Sequence, residues 1–336
     1  MTPDRGSMSA RSLACHLGLA IGCLGLAIAA LGLGRTAFAP AAILQALAGE
    51  SPAATRLVVV EWRLPRVAAA LCAGAALGMA GALFQTLLRN PLGSPDVIGC
   101  DAGAFFGAIL ALLAGGSVAV VAAGAFSGGL AAGLLVYVAA GSARTAPSRL
   151  ILIGIAVGAG LSALNDWLIM VAPLDTALVA ASWRQGALAG VDPARLVLGI
   201  ALLAPLLLLG LAGSRSLRTL ELGDDKALSL GEPAGRSRLR LGLLGLGLTA
   251  TATLIAGPVG FVALIAPQAA RRLLGSPGLP LTASALFGAL FLLASDCVAR
   301  LAFAPRVLPV GAVTACLGGI CFVLLLLGIR RREATP

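Results

Sequence analysis

Ala102–Ala143 reads AGAFFGAILALLAGGSVAVVAAGAFSGGLAAGLLVYVAAGSA, 42 residues without a charged side chain. A helix crosses the ~30 Å hydrocarbon core of a bilayer in about 20 residues. The run is long enough for two crossings, and Gly115-Gly116-Ser117 supplies the turn between them. A second charge-free run, Leu241 to Ala270, holds 30 residues, and Gly257-Pro258 divides it. The rest of the chain agrees. Of 336 residues, 59% are hydrophobic and 11% charged, against about 25% charge in an average soluble domain. Mean hydropathy is +1.00. This excludes an ordinary soluble enzyme, a disordered chain and a nucleic-acid module. The net charge of +10 comes from arginines between apolar runs, where a membrane protein marks its loops.

The expected fold is therefore an all-α integral membrane protein, a single transmembrane domain over 1–336. Ten spans are expected, at about 12–34, 66–88, 96–114, 117–141, 148–171, 193–213, 237–256, 258–274, 280–301 and 308–329. With the N-terminus in the cytoplasm, the inner set is Arg5, Arg11, Arg89, Arg144, Arg149, Arg215, Arg218, Lys226, Arg236, Arg238, Arg240, Arg271, Arg272, Arg330, Arg331 and Arg332. The outer set is Arg35, Arg56, Arg63, Arg66, Arg184, Arg195, Arg300 and Arg306. Sixteen against eight places both termini inside. Leu13 to Gly34 exceeds the 7–15 residues of a signal h-region, so it reads as a retained first helix despite Ala37-Phe38-Ala39.

Catalytic chemistry is not visible. Lys226 is the single lysine, and no G-x-x-x-x-G-K-[ST] phosphate loop surrounds it. The single histidine, His16, cannot assemble a metal site and reads as structural. Seven cysteines form no CxxC pair and read as small buried core residues. No catalytic residue and no metal site is expected. Gly74, Gly78 and Gly81 lie on one helix and read as close-packing positions.

A few polar residues stand out. Asp101 and Asp166 fall near span ends, where water or headgroups solvate them. Asp296 lies four residues before Arg300 and can pair with it on one helix face, the alternative being proton or ion coupling. Arg63, Arg66 and Arg300 sit on the outer side against the positive-inside bias. They either anchor headgroups or offer a basic docking surface to an acidic partner. The longest inner loop, 214–236, carries Asp224-Asp225, which suit a helix N-terminus, and Gly231 and Pro233, which suit its end. That short helix could lie on the membrane or insert into a partner's groove.

Several segments resemble one family. They are Glu61-Trp62-Arg63-Leu64-Pro65-Arg66, Gly74-Ala75-Ala76-Leu77-Gly78, and Gln85 with Arg89-Asn90-Pro91-Leu92-Gly93-Ser94-Pro95-Asp96. Ala256-Gly257-Pro258-Val259-Gly260-Phe261-Val262-Ala263-Leu264-Ile265-Ala266-Pro267, Asp296 to Arg300, and Leu308-Pro309-Val310-Gly311-Ala312-Val313-Thr314 complete the set. Together they resemble the permeases of bacterial ABC importers for iron-siderophores, haem and vitamin B12. Gly93-Ser94-Pro95-Asp96-Val97, Gly223-Asp224-Asp225 and Leu317-Gly318-Gly319-Ile320 resemble the ferric-catecholate branch, that of the ferric enterobactin permeases.

The resemblance implies a vitamin B12 importer permease-like fold, with spans 2–5 and 7–10 as inverted pseudo-symmetric halves. It implies an inner-membrane permease that is not an enzyme and holds no cofactor. ATP and Mg would bind two separate ATPase subunits. A second permease, a different chain, and a periplasmic binding protein would complete the machine, with no nucleic acid involved. Arg63, Arg66 and Arg300 match the positions that meet glutamates of the binding protein. Glu221, Leu222, Gly223, Asp224, Asp225, Leu230 and Gly231 match the segment that couples to the ATPase, and Asn90, Pro91 and Leu92 the cytoplasmic gate. The cargo would be a ferric siderophore of catecholate type. Haem or cobalamin, or a proton-coupled carrier, are the alternatives. One departure is Gln268, where the family usually has histidine. Glutamine keeps the hydrogen bonding but cannot titrate.

Overall fold

The computed structural model describes residues 10–34, 36–141, 147–186, 188–275, 278–302 and 306–333. Arg5, Arg35 and Arg144 of the topology count lie outside the described residues. Described residues fall into helices joined by short turns. The chain opens with α1 (Ala10–Gly32), α2 (Pro40–Ala48) and α3 (Ala53–Arg56), then a π-helical turn (Leu57–Arg63) that runs straight into α4 (Leu64–Leu87). A 3-10 turn (Pro95–Ile98) precedes α5 (Cys100–Leu113) and α6 (Val118–Ala140). Then come α7 (Pro147–Val171), α8 (Leu174–Arg184), α9 (Pro193–Ala212), α10 (Ser214–Glu221) and α11 (Asp224–Ser229). The chain closes with α12 (Ala234–Ala256), α13 (Val262–Leu274), α14 (Leu281–Leu301) and α15 (Val310–Glu333).

Seven helices among the described residues are long and apolar enough to cross a bilayer, and Cys100–Leu113 and Val310–Leu324 are shorter apolar helices. Turns fall where backbone chemistry demands them. Gly115, with φ 70°, separates α5 from α6. The α12–α13 break spans Gly257 to Phe261 rather than the single Gly257-Pro258 step expected, because Phe261 itself takes a left-handed φ of 69° before α13 starts.

The centre of the bundle is α4, buried on nearly every face and packed on α12, α13 and α14. A Cβ on Gly74 would strike the backbone of Gly288, one on Gly78 that of Ser284, and one on Gly81 that of Ala263. Small residues therefore set the distance of α4 from α13 and α14, which is how helices associate in lipid without a hydrophobic drive. In α12, Thr249, Thr251 and Thr253 donate to the carbonyls of Gly245, Gly247 and Thr249 at 2.9, 2.7 and 3.0 Å, so no hydroxyl is stranded in the core. By contrast α1 and α7 leave most of their length exposed, as a lipid face or subunit face requires.

Four expectations are corrected. The sequence reading places nothing between 34 and 66, yet α2, α3 and the π-helical turn lie there, and the helix ending at Leu87 begins at Ala53. These positions mix polar with apolar residues and carry no span signal. The helix α8 is likewise unexpected. Asp101 lies in the first turn of α5 and is half-buried, but that helix end lies within the bundle and not at the bilayer surface. Thr253 donates to Asp101 Oδ1 at 3.2 Å. Thr253 lies 13 residues along α12 from Arg240, about 20 Å at the helix rise. The cause is the segment after α4, which turns back into the bundle, burying Ser94, Ile98 and Cys100, so that α5 starts deep. Cysteine burial is also uneven: Cys100 and Cys297 are buried, Cys316 is exposed and the others are intermediate. His16 Nδ1 donates to Ser12 O at 2.7 Å, which leaves Nε2 to accept from Thr282 Oγ1 at 2.8 Å, the structural role expected.

Candidate functional site

Polar side chains gather at the two ends of α4. At its start, Arg66 Nε and Nη2 donate to Asp296 Oδ1 at 2.9 and 2.8 Å. Arg300 Nε stands 3.1 Å from Asp296 Oδ2, one helical turn along α14, as the i, i+4 spacing requires. Asp296 is fully buried. Arg63, also buried, donates to Leu31 O and Thr36 O, both at 2.7 Å, and its guanidinium lies 5.1 Å from the Phe38 ring centroid. Arg300 reaches Ala30 O at 3.2 Å. These three arginines and Asp296 together carry a net charge of +2, with Glu61 exposed on the preceding turn. Arg63, Arg66 and Arg300 thus lie together at this end of α4. Arg66, 230 residues from Asp296, is a partner that local spacing could not reveal.

The other end of α4 meets α10 and α11. Arg89 Nη2 donates to Asp224 Oδ1 at 2.7 Å, and Arg238 holds the same carboxylate at 2.6 and 3.0 Å. Glu221 Oε1 accepts from Thr86 Oγ1 at 3.4 Å and from the Leu279 N–H at 3.2 Å, so it ties α10 to both α4 and the entry of α14. Gly223 (φ 102°) and Gly231 (φ 80°) bracket α11 in conformations that a side chain would strain. Hydrogen bonds from Ser237 and Ser216 hold Glu232 below the ordinary carboxylate range. The inward side of this pair of helices is apolar: Leu217, Leu220 and Ala227 are buried. Its outward side is apolar too. Leu222, Leu228 and Leu230 are 55, 56 and 63% exposed. Asp225 opens α11 beside Asp224, where an acid suits the helix dipole.

Between the helix ends runs Asn90-Pro91-Leu92. Asn90 Oδ1 accepts from the Leu92 N–H at 2.9 Å, closing a tight turn. Just above it, Gln268 Nε2 donates to Gln85 Oε1 at 2.6 Å, and Gln85 Nε2 donates to Leu264 O at 2.9 Å. The departure at Gln268 therefore makes a hydrogen bond across α4 and α13 that does not depend on pH. An open polar groove lies between α5 and α7, lined by Asp96, Asp101, Ser162, Asn165 and Arg184. The charge of Arg184 is spent on Asp166, with its guanidinium 5.9 Å from the Phe105 ring. Arg184 is thus not a free attractor for an anion. Arg195 follows Asp192, whose carboxylate caps α9 through the Ala194 N–H at 2.7 Å.

The chain resembles proteins of known class over almost its whole length. It is 43% identical over 332 residues to the ferric enterobactin transport system permease protein FepG of Escherichia coli (strain K12), covering 97% of this chain and 99% of that protein. It is 38% identical over 278 residues to the Fe(3+) dicitrate transport system permease protein FecD of the same organism, covering 81 and 86%. A solved transporter described as of the metal-chelate ABC type, in an inward-facing conformation, superposes with a TM-score of 0.82 at 27% identity, covering 94% of this chain and 99% of that one. The profile of the FecCD transport family matches residues 22–328. The chain therefore belongs to the FecCD transport family, as a multi-pass membrane permease subunit of the siderophore-type ABC importers.

Proposed function

We propose that this permease moves a ferric catecholate siderophore, ferric enterobactin-like, from periplasm to cytoplasm. Both termini face the cytoplasm, α10 and α11 with them. Two ATPase subunits bind ATP and Mg and dock against 214–236. This chain needs no cofactor and performs no hydrolysis. The observation that carries the reading is the α10–α11 pair: it is fixed to α4, α12 and α14 by Glu221 and Asp224, yet exposes Leu222, Leu228 and Leu230. A stiff helix pair with an unpartnered apolar outer side suits a groove on a cytoplasmic protein. At the opposite end, the net positive cluster of Arg63, Arg66, Arg300 and Asp296 suits the acidic surface of a periplasmic binding protein. A second permease of different sequence closes the pathway, the groove between α5 and α7 facing it. Asn90-Pro91-Leu92 forms the inner gate.

The test is uptake in cells lacking this chain, with ferric enterobactin, a ferric hydroxamate, haem and cobalamin supplied in parallel. Loss of the catecholate alone supports the reading. Loss of haem or cobalamin uptake instead keeps the importer and replaces the cargo. Uptake that survives ATP depletion but collapses with the proton gradient removes the ATP-driven reading.

A further inference from the structure

We infer that Arg89 is a positioning residue that transmits movement of α11 to the Asn90-Pro91-Leu92 turn. The inference rests on the proposed role of α10–α11 as the ATPase contact. Arg89 and Phe261 are the non-glycine residues with positive φ among the described residues. Arg89 closes α4: its N–H donates to Thr86 O at 3.1 Å, and the Asn90 N–H donates to Gln85 O at 3.1 Å. This is the helix-ending turn whose left-handed position favours glycine. An arginine there bears backbone strain (φ 48°) that glycine would relieve. The side chain shows what the strain accompanies. Its guanidinium reaches Asp224, the first residue of α11.

Geometry makes that contact a lever. Asp224 has a short side chain, so its carboxylate follows the α11 backbone closely. Arg238 holds it from α12 at 2.6 Å and is only 18% exposed. The Arg89 side is looser: Arg89 is 45% exposed and Asp224 37%. The Arg238 contact is thus the pivot and the Arg89 contact the separable arm. Beyond Arg89, Pro91 fixes one backbone torsion and Asn90 is tied to Leu92. The turn is therefore stiff, and a displacement of Arg89 carries Asn90 with it.

The test uses the whole transporter in proteoliposomes, with its ATPase, second permease and binding protein, supplied with radiolabelled ferric enterobactin. The readout is iron moved per ATP hydrolysed. Arg89→Gly keeps the turn, because glycine suits the left-handed position, so the complex assembles. Its transport per ATP falls about fivefold, within the range for residues that couple sites without touching either ligand. Arg89→Lys retains the charge and restores most of the ratio, which a purely structural role would not. Asp224→Asn lowers the ratio in the wild-type background and adds nothing in the Arg89→Gly background. A wild-type ratio in Arg89→Gly overturns the inference while leaving the importer reading intact. So do equal, additive losses from the two substitutions. A wild-type complex that moves no iron with ATP removes both.

Discussion

Each end of α4 carries an aspartate between two arginines, and the two clusters differ in burial. Asp296 is fully enclosed, with Arg66 and Arg300 14 and 10% exposed. Asp224 stands at the surface beside Arg89 and Arg238. Away from water, removing one partner strands the other charges, so such a pair behaves as a fixed joint. An exposed pair gains little and is easily parted. The buried cluster thus suits a fixed joint, and the exposed Arg89 contact suits the movement proposed for α11. The same two helices join them, since α4 leads from Arg66 to the turn that holds Arg89, and α14 from just after Leu279 to Asp296. Their backbones meet at Gly74, Gly78 and Gly288, which leaves little slack between the ends.

The largest effect that would break this comparison is at Asp296. Asp296→Asn leaves Arg66 and Arg300 facing each other with no anion, and the expected cost is about 3–5 kcal/mol. Thermal unfolding of the purified transporter complex should show it, together with reduced membrane abundance of this chain. A variant as stable as the parent would mean that water reaches the cluster and that it is no fixed joint.

Much of this contrast is illegible in the sequence. Charge-free runs mark spans, because a bilayer demands about 20 apolar residues whatever the neighbours. Asp296–Arg300 is legible as well, since four residues make one helical turn. Arg66–Asp296 and Arg89–Asp224 are not, because 230 and 135 residues separate the partners and only the packing of α4 brings them together. The basic trio of Arg63, Arg66 and Arg300 is legible from its outer position against the positive-inside bias and from the family motif, but its hydrogen bonding is not. Nothing local says that Arg63 spends itself on the carbonyls of Leu31 and Thr36. Asp101 was misplaced because the dip after Asn90 depends on contacts with α12 and α7, not on its own composition.

The structure also changes how docking should be tested. Reversing Arg63 or Arg300 to glutamate would set a carboxylate against the carbonyls of Thr36 or Ala30, so lost assembly would mask lost docking. Arg63→Gln removes the charge and keeps donors for those carbonyls. Charge at such a surface acts mainly on the rate of encounter. The variant should associate more slowly with the binding protein, and the rate should depend less steeply on salt, with complex abundance unchanged. An unaltered rate and salt slope would remove Arg63 from the docking surface and leave it as a brace for the α1–α2 turn.

The smallest expected effect sharpens the comparison most. Asp224→Asn removes the same group as Asp296→Asn, from the same kind of arginine pair, but in water. The expected loss of thermal stability is within about 1 kcal/mol. Asparagine still offers an oxygen to Arg238, and Arg89, 45% exposed, is solvated once released. If unfolding shifts as far as in Asp296→Asn, α11 is clamped and cannot work as a moving part. If it barely shifts while transport per ATP falls, the exposed cluster is separated from the buried one by function and not merely by depth. Measuring both variants in one preparation matters, because each serves as the other's control for the loss of a carboxylate.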